Sequence, residues 1–281
     1  METVAIFGVG LIGGSFALAL RKAGFAGTIL GVSSEATLAR AIKLQVIDAA
    51  ASVQTAAQEA DLLYLAQPVH AILSTLVELN QWVRPGALIT DAGSTKQAIV
   101  QRAAESLTKT AFLGGHPLAG KENRGLAAAE ADLFRGRPYV LTPTSADELK
   151  TPAAESFRDW LERIGAIPVI LDAGEHDRTV AFTSHLPQMA STALGMLLSR
   201  KDYLANGVFG PALLDSTRLA LSPYEIWADI LETNAAWIHM ALSEYIEALD
   251  ALRRDLTAPE MAGHFESAAA VAERLRTQAN Q

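Results

Sequence analysis

The chain has 281 residues, half of them hydrophobic and 19% charged, a profile that supports a sizeable buried core. Its formal charge of −8 argues against a nucleic-acid surface, which needs a basic face. Cysteine is absent, which excludes disulfides and thiolate metal sites, and no apolar run reaches the roughly 18 residues that a membrane span requires. Met1-Glu2-Thr3 leads straight into an apolar run, so no signal peptide is expected. A cytoplasmic protein is expected, with small molecules and further copies of itself as partners.

Up to about residue 171, short apolar runs alternate with helical patterns. Strands are predicted at Val4–Phe7, Thr28–Val32, Asp61–Leu65, Leu88–Thr90, Ala111–Gly114, Tyr139–Leu141 and Ile167–Leu171. Helices are predicted between most of them, at Ser15–Ala23, Glu35–Lys43, Val69–Leu79, Lys96–Ala104 and Ala146–Ile164. Such alternation, with runs apolar on both faces, predicts a mostly parallel, doubly wound sheet. Beyond Asp172 only helical periods follow. Pro223 can sit in the first turn of a helix continuing to about Leu256, roughly 33 residues or ~50 Å long. Its middle, "NAAWIHMALSEYIEALDAL", is apolar around much of its circumference, more than a domain of about 110 residues can cover alone. A homodimer built through these C-terminal helices is expected.

Gly8-Val9-Gly10-Leu11-Ile12-Gly13 follows the first strand and opens the first helix. In that context the first glycine permits a tight turn and the second lets a pyrophosphate approach the backbone. The third lets helix and strand pack closely, and the helix N-terminus adds amides and partial positive charge. The chain is therefore expected to hold a dinucleotide on a Rossmann-type domain over residues 1–171, followed by a helical substrate and dimerisation domain over 172–281. Cofactor contacts are expected from Gly8, Gly10, Leu11, Ile12 and Gly13, with Ser33, Ser34, Gln67 and Pro68. Ser33 stands where an acidic residue would hold the ribose hydroxyls of NAD and repel a 2′-phosphate. No Arg or Lys follows immediately, and Glu35 does, so NAD or NADP remains open, with NADP tolerated.

Three segments offer chemistry beside a nicotinamide. "TDAGSTK" carries Asp91, Ser94 and Lys96; "FLGGHPLAGKENRG" carries His116, Lys121, Glu122 and Arg124; "TSHLPQMAS" carries Ser184, His185 and Gln188. His116, on a loop stiffened by two glycines and Pro117, is the general-base candidate. His239 and His264, each alone on a helix, read as structural or surface residues. His70, starting a helix, and His176, in a charged turn, are read as little different, and His185 is a secondary candidate. No spacing suits a metal, and none is expected.

The motifs "GxGLIGGS", "DAGSTK", "GGHPLAGKENRG", "EHDRTVAFTSHLP" and "DSTRLALSPYEIWADIL" occur in this order over nearly the whole chain. In them the chain resembles the prephenate/arogenate (cyclohexadienyl) dehydrogenases of tyrosine biosynthesis. The resemblance implies oxidative decarboxylation of a cyclohexadienol by an NAD(P)-dependent enzyme. It implies that His116 hydrogen-bonds the ring hydroxyl and acts as base, that Ser94 assists, and that Arg218 binds a substrate carboxylate. Lys121 and Glu122 would line the entrance, with Asp215 and Trp227 nearby, part of this half coming from a second subunit. Gln188 stands where several prephenate-type members carry a second histidine, and Ser33 departs from the common acid. Both bear on substrate and cofactor preference rather than on the reaction. No room is expected for the regulatory domain or fused mutase of some relatives. Two other readings differ in kind. A dehydrogenase of the β-hydroxyacid or 6-phosphogluconate type would need a catalytic lysine in the helical half, where Lys201 in "SRKDY" offers a poor context. A cofactor-binding module without turnover would have no use for the His116 loop.

Overall fold

The computed structural model describes residues 1–121, 123–200 and 204–279. Its sheet has eight strands: β1 (Thr3–Phe7), β2 (Thr28–Val32), β3 (Ala49–Ala50), β4 (Leu62–Leu65), β5 (Leu88–Asp91), β6 (Ala111–Pro117), β7 (Pro138–Thr142) and β8 (Ile167–Ile170). Their spatial order is β3-β2-β1-β4-β5-β6-β7-β8. All pairs are parallel except β6 with β7, so the sheet is parallel-dominant, as the alternating pattern predicts. The chain runs outward from β1 first to one side and then to the other. The crevice between β1 and β4 is thus the switch point where ligands bind in sheets of this kind.

Six helices cover the sheet: α1 (Leu11–Lys22), α2 (Glu35–Lys43), α3 (Val53–Glu59), α4 (Val69–Leu79), α5 (Gln97–Ser106) and α6 (Pro152–Arg163). On one face, Phe16 and Leu20 of α1 and Phe157 and Leu161 of α6 join Tyr64 and Tyr139 of the sheet in one buried cluster. The Phe16 ring stacks on Tyr64 at 4.0 Å between centroids, and Tyr139 Oη donates to Tyr64 Oη at 3.1 Å. On the other face, Ala56 of α3, Ile72 and Leu76 of α4 and Ile99 of α5 pack on Leu63 and Ile89. Burial on both faces explains the unbroken apolar runs of β1, β2, β4, β5 and β7.

The remaining chain is helical: α7 (Ala173–Val180), a π turn at Ala181–His185, α8 (Leu186–Ser199), α9 (Pro211–Thr217), a 3-10 turn at Arg218–Leu221, α10 (Tyr224–Thr233), α11 (Ala235–Arg254) and α12 (Glu260–Ala279). Among its described residues, buried Ala181, Ile230, Ile238 and Ala241 form a small apolar cluster. Large apolar side chains remain exposed on the same helices, among them Tyr224, Ile226, Met240, Ile246 and Leu249. No helix among the described residues is long and apolar enough to cross a membrane.

Four local readings need correction. The helix from Pro223 is not continuous: it breaks at Asn234 (φ −123°), whose side chain is drawn inward to donate to the Asp177 carbonyl at 2.9 Å. Pro223 precedes α10 as its N-cap rather than standing within its first turn. The helix expected from Ala146 starts at Pro152, where Thr151 caps it by accepting from Ala154 N, after a 3-10 turn at Glu148–Lys150. The loop expected to carry His116 is strand, because β6 runs on through Pro117 as it pairs antiparallel with β7, His116 opposite Val140. The two-residue β3 and the short α3 gave no pattern long enough to read.

Candidate active site

The glycine turn after β1 is built by close approach. Gly8 has φ +87°, and a Cβ there would lie 2.6 Å from the Ala66 carbonyl oxygen. A Cβ at Gly13 would run into the Gly8 carbonyl oxygen, so only glycine lets α1 dock on the strand end. Gly10, the N-cap of α1, faces open space instead. Its wall belongs to a cleft of about 580 Å³ lined by Gly8, Gly10, Ser33, Ser34, Thr37, Gln67 and Pro68 among others. Leu11 and Ile12 open α1, so their backbone amides point out of the helix N-terminus unpaired within it. These residues suit a dinucleotide: open backbone at Gly10, helix amides for the pyrophosphate, and hydroxyls at Ser33, Ser34 and Thr37 at the far end. Among the described residues no carboxylate lines that end of the cleft; Glu35 is exposed on α2 and is not part of the lining.

A smaller cavity of about 260 Å³ continues the cleft. It shares Ala66, Gln67 and Pro68 with it and adds Ile12, Gly93 and Ser94 from the sheet half. Its roof is α10, through Glu225, Ile226, Asp229 and Ile230. Asp229 Oδ2 accepts the His70 backbone N–H at 3.0 Å, so the helical half caps the start of α4 beside this cavity.

Ile226 also belongs to the wall of a third cavity, of about 800 Å³. Here Lys121 and Arg124 from the segment after β6 face Gln188 of α8, Arg218 and Ser222 beyond α9, and Trp227 of α10. Lys121 is ion-paired with Glu130. Trp227 Nε1 donates to Ser222 Oγ at 3.0 Å, and buried Gln188 donates from Nε2 to Thr192 Oγ1 at 3.3 Å. Asp215 is exposed on α9 and is not part of this lining. Glu122 and Lys201 lie outside the described residues.

His116 belongs to the lining of none of these three cavities and is tied into a buried polar network. Its Nδ1 meets His176 Nε2 at 2.8 Å, and His176 Nδ1 meets Asp177 Oδ1 at 2.8 Å. The backbone around it is held from β5: Asp91 Oδ1 accepts the Gly115 N–H at 3.0 Å, and Lys96 Nζ donates to the Gly115 carbonyl at 2.7 Å. Lys96 and Asp91, both fully buried, also form an ion pair. Burial is the main cause that holds the His116 imidazole well below its usual pKa, with His176, Lys96 and His185 adding to the depression. Burial likewise pushes His185 down to about 4, despite the opposing pull of Asp177. His185 Nδ1 lies 3.2 Å from Asn234 Nδ2, and its ring stands edge-on to Trp227 at 5.8 Å, which joins the network to the third cavity.

The sequence reading passed over His176 and Asp177, taking them for a charged turn. They are buried on α7. The signal was present in the spacing: His176 and Asp177 share a helical face with Val180 and Ala181, so polar residues occupied apolar positions. Asn234 gave no such signal, because its buried partner is 57 residues away.

Comparison with known proteins agrees with this geometry. Residues 16–170 match the nucleotide-binding domain of prephenate dehydrogenase, and residues 172–267 match the prephenate dehydrogenase dimerization domain. A prephenate dehydrogenase of Lactococcus lactis subsp. cremoris is 34% identical over 265 residues, covering 92% of this chain and 72% of the relative. The crystal structure of prephenate dehydrogenase from A. aeolicus, in complex with hydroxyphenyl propionate and NAD+, superposes with a TM-score of 0.90 at 28% identity, covering 98% of each chain. Synechocystis arogenate dehydrogenase superposes with a TM-score of 0.83 at 30% identity, covering 97% of this chain and 99% of that one. On the matched domains and the shared fold, the chain belongs to the prephenate dehydrogenase family of NAD(P)-dependent oxidoreductases.

Proposed function

We propose that the chain catalyses the oxidative decarboxylation of prephenate and of arogenate, accepting NADP at least as readily as NAD. The observation that carries this reading is the succession of the three neighbouring cavities, the first two sharing Ala66, Gln67 and Pro68 in their walls and the last two sharing Ile226. They lead from the Ser33 hydroxyl end, past the glycine turn and Ser94, to a chamber bearing Arg218, Arg124 and Lys121. A substrate reached from that chamber meets cations suited to carboxylates, beside a half-buried Ser94 and with His116 on the adjacent strand.

Bound NAD(P) supplies the hydride acceptor for the ring carbon that bears the hydroxyl. His116 takes the hydroxyl proton at a ring nitrogen, and its depressed pKa keeps it unprotonated and ready to do so. Ser94 orients the hydroxyl. The bond from the ring to its carboxylate then breaks, its electron pair enters the ring, and carbon dioxide leaves as the ring becomes aromatic. Aromatisation supplies most of the driving force, so the protein's work is positioning, proton acceptance and carboxylate recognition.

Arg218 is assigned the ring carboxylate, which both substrates share. A guanidinium grips a carboxylate through two parallel hydrogen bonds, a geometry an ammonium group does not reproduce. Arg218→Lys is therefore expected to lower kcat/KM roughly tenfold to hundredfold for both substrates alike. Gln188 is assigned the substrate side chain, where a neutral amide suits the zwitterion of arogenate at least as well as the keto acid of prephenate. Gln188→His is expected to move the kcat/KM ratio toward prephenate. Steady-state kinetics of both substrates on the parent and these two variants test the assignment. An Arg218→Lys loss confined to one substrate, or a parent enzyme inert toward arogenate, would contradict it.

Cofactor choice rests on Ser33. Among the described residues the exposed hydroxyl end of the cleft presents no carboxylate to repel a 2′-phosphate, and Ser34 Oγ donates to Thr37 Oγ1 at 2.9 Å, lining up two hydroxyls beside it. Ser33→Asp is expected to move the preference toward NAD. A strong preference of the unmodified enzyme for NAD, read from kcat/KM for the two cofactors, would refute the argument.

The helical half is assigned to a homodimer. Leu221 is 82% exposed, Tyr224 71% and Phe265 70% in the single chain, and these segments belong to the matched dimerization domain or border it. Light scattering at micromolar concentration should give twice the mass of the chain, and a stable monomer would contradict the assignment.

A further inference from the structure

We infer that Asp177 is a positioning residue that fixes the tautomers of His176 and His116 in series, leaving the Nε2 lone pair of His116 for the substrate proton; this rests on the reading of His116 as the base. Asp177 is fully buried at the sheet-facing side of α7 and accepts three N–H groups. Oδ1 takes the Lys96 backbone N–H at 2.6 Å and the His176 Nδ1 side at 2.8 Å, while Oδ2 takes the Gln97 backbone N–H at 2.9 Å. Two of these donors are peptide amides, which cannot reverse their role. They fix both carboxylate oxygens as acceptors and fix the direction in which Oδ1 faces His176.

The rest follows from proton counting. A carboxylate offers only lone pairs, so His176 must carry its proton on Nδ1 to pair with it. A His176 ring that holds this single proton presents a lone pair at Nε2. That atom stands 2.8 Å from His116 Nδ1, so His116 must donate from Nδ1. A neutral imidazole holds one ring proton, and with Nδ1 occupied the His116 Nε2 is an acceptor. The lone pair that proton abstraction requires is thus set two residues away from the base.

The same contact joins the two halves of the chain. Lys96 and Gln97 begin α5 beside the sheet, whereas Asp177 lies on α7, the first helix of the helical half. Asn234, at the break between α10 and α11, donates to the Asp177 carbonyl at 2.9 Å and holds that turn of α7 in place. Docking of the helical half on the start of α5 is therefore a condition for presenting His116 in its accepting form.

The test is nitrogen NMR of the histidine rings in the full-length, isotope-labelled protein, with kinetics of Asp177→Ala and Asp177→Asn. In the unmodified protein both His176 and His116 are expected to carry their protons on Nδ1. Asp177→Ala removes the acceptor that holds the His176 proton on Nδ1, so the proton of each ring is expected to move to Nε2, and kcat to fall by about 10²–10⁴ while the KM for cofactor changes only a few fold. In Asp177→Asn the single side-chain oxygen can keep the place of Oδ1 between the Lys96 N–H and His176, losing the Gln97 N–H contact, so the native tautomers and most of the turnover are expected to return. An unmodified protein with His116 protonated on Nε2 overturns the proposal without recourse to any variant. A loss of turnover in either variant with unchanged tautomers also overturns it, since Asp177 would then act through structure alone. Reversed tautomers with near-normal turnover in Asp177→Ala support the ordering by Asp177 but overturn His116 as the base. A fully active Asp177→Ala with unchanged tautomers, beside an inactive His116→Asn, overturns the proposal and leaves the base standing.

Discussion

Replacing His116 by asparagine is expected to lower kcat by about 10²–10⁴, the usual worth of a general base, while cofactor affinity stays nearly unchanged. Asparagine keeps a polar group at the end of β6 and can still meet His176 with its amide, but it has no nitrogen lone pair to take a proton. The environment makes the role specific. Burial, His176, Lys96 and His185 together hold the His116 imidazole well below its usual pKa. The sign of that shift matters: a depressed pKa leaves the ring unprotonated, so the acid-side limb of kcat/KM should lie below that of an ordinary histidine. Asp91 and Asp177, the carboxylates of the same network, are engaged by Lys96 and by His176 and backbone amides, and the depression persists beside them. Steady-state kinetics across pH, with cofactor binding measured separately, check both points. Near-normal turnover in His116→Asn would remove this residue from the mechanism.

Lys96→Met is expected to show the largest loss of stability. Lys96 is fully buried, its ammonium shared between Asp91 and the Gly115 carbonyl. Burial, its largest influence, lowers the lysine pKa, and the charge of Asp91 opposes that shift. Methionine fills most of the same volume but leaves the Asp91 carboxylate without its cation in the sheet. Removing one partner of a buried ion pair costs about 3–5 kcal/mol, because the surviving charge is left uncompensated. Adding Asp91→Asn should recover part of the loss, since the neutral amide no longer needs a counter-charge. Chemical denaturation at one fixed protomer concentration compares the three proteins on equal terms. A Lys96→Met loss within the range of an ordinary surface change would show that the pair does not hold this region together.

The fold was legible wherever local chemistry decided it. Val4–Phe7, the glycine turn and the helix after it form a strand–turn–helix unit whose parts are adjacent in sequence, and they were readable as such. The same holds for the apolar runs that became β2, β4 and β5, which are buried on both faces. Ala49–Ala50 was not readable, because two exposed residues have no pattern and join the sheet only by pairing with Leu30 and Gly31. His116 is singled out in the sequence by its glycines and proline, whereas its partner His176 lies 60 residues away and gives no local sign of the contact. The break at Asn234 was hidden for the same reason. In a run of good helix formers, the residue that stops the helix does so through a buried bond to another element. The apolar side of α11 was legible in composition, and Met240, Ile246 and Leu249 lie exposed on it in the single chain.

The most direct test of the account is the turnover of purified protein offered prephenate or arogenate with NAD or NADP. Reduced nicotinamide and carbon dioxide would be followed together. The account predicts that both appear in equal amounts with either substrate, with NADP at least matching NAD, and that both are lost together in His116→Asn. A protein that binds the cofactor but yields neither reduced nicotinamide nor carbon dioxide from either substrate would contradict it.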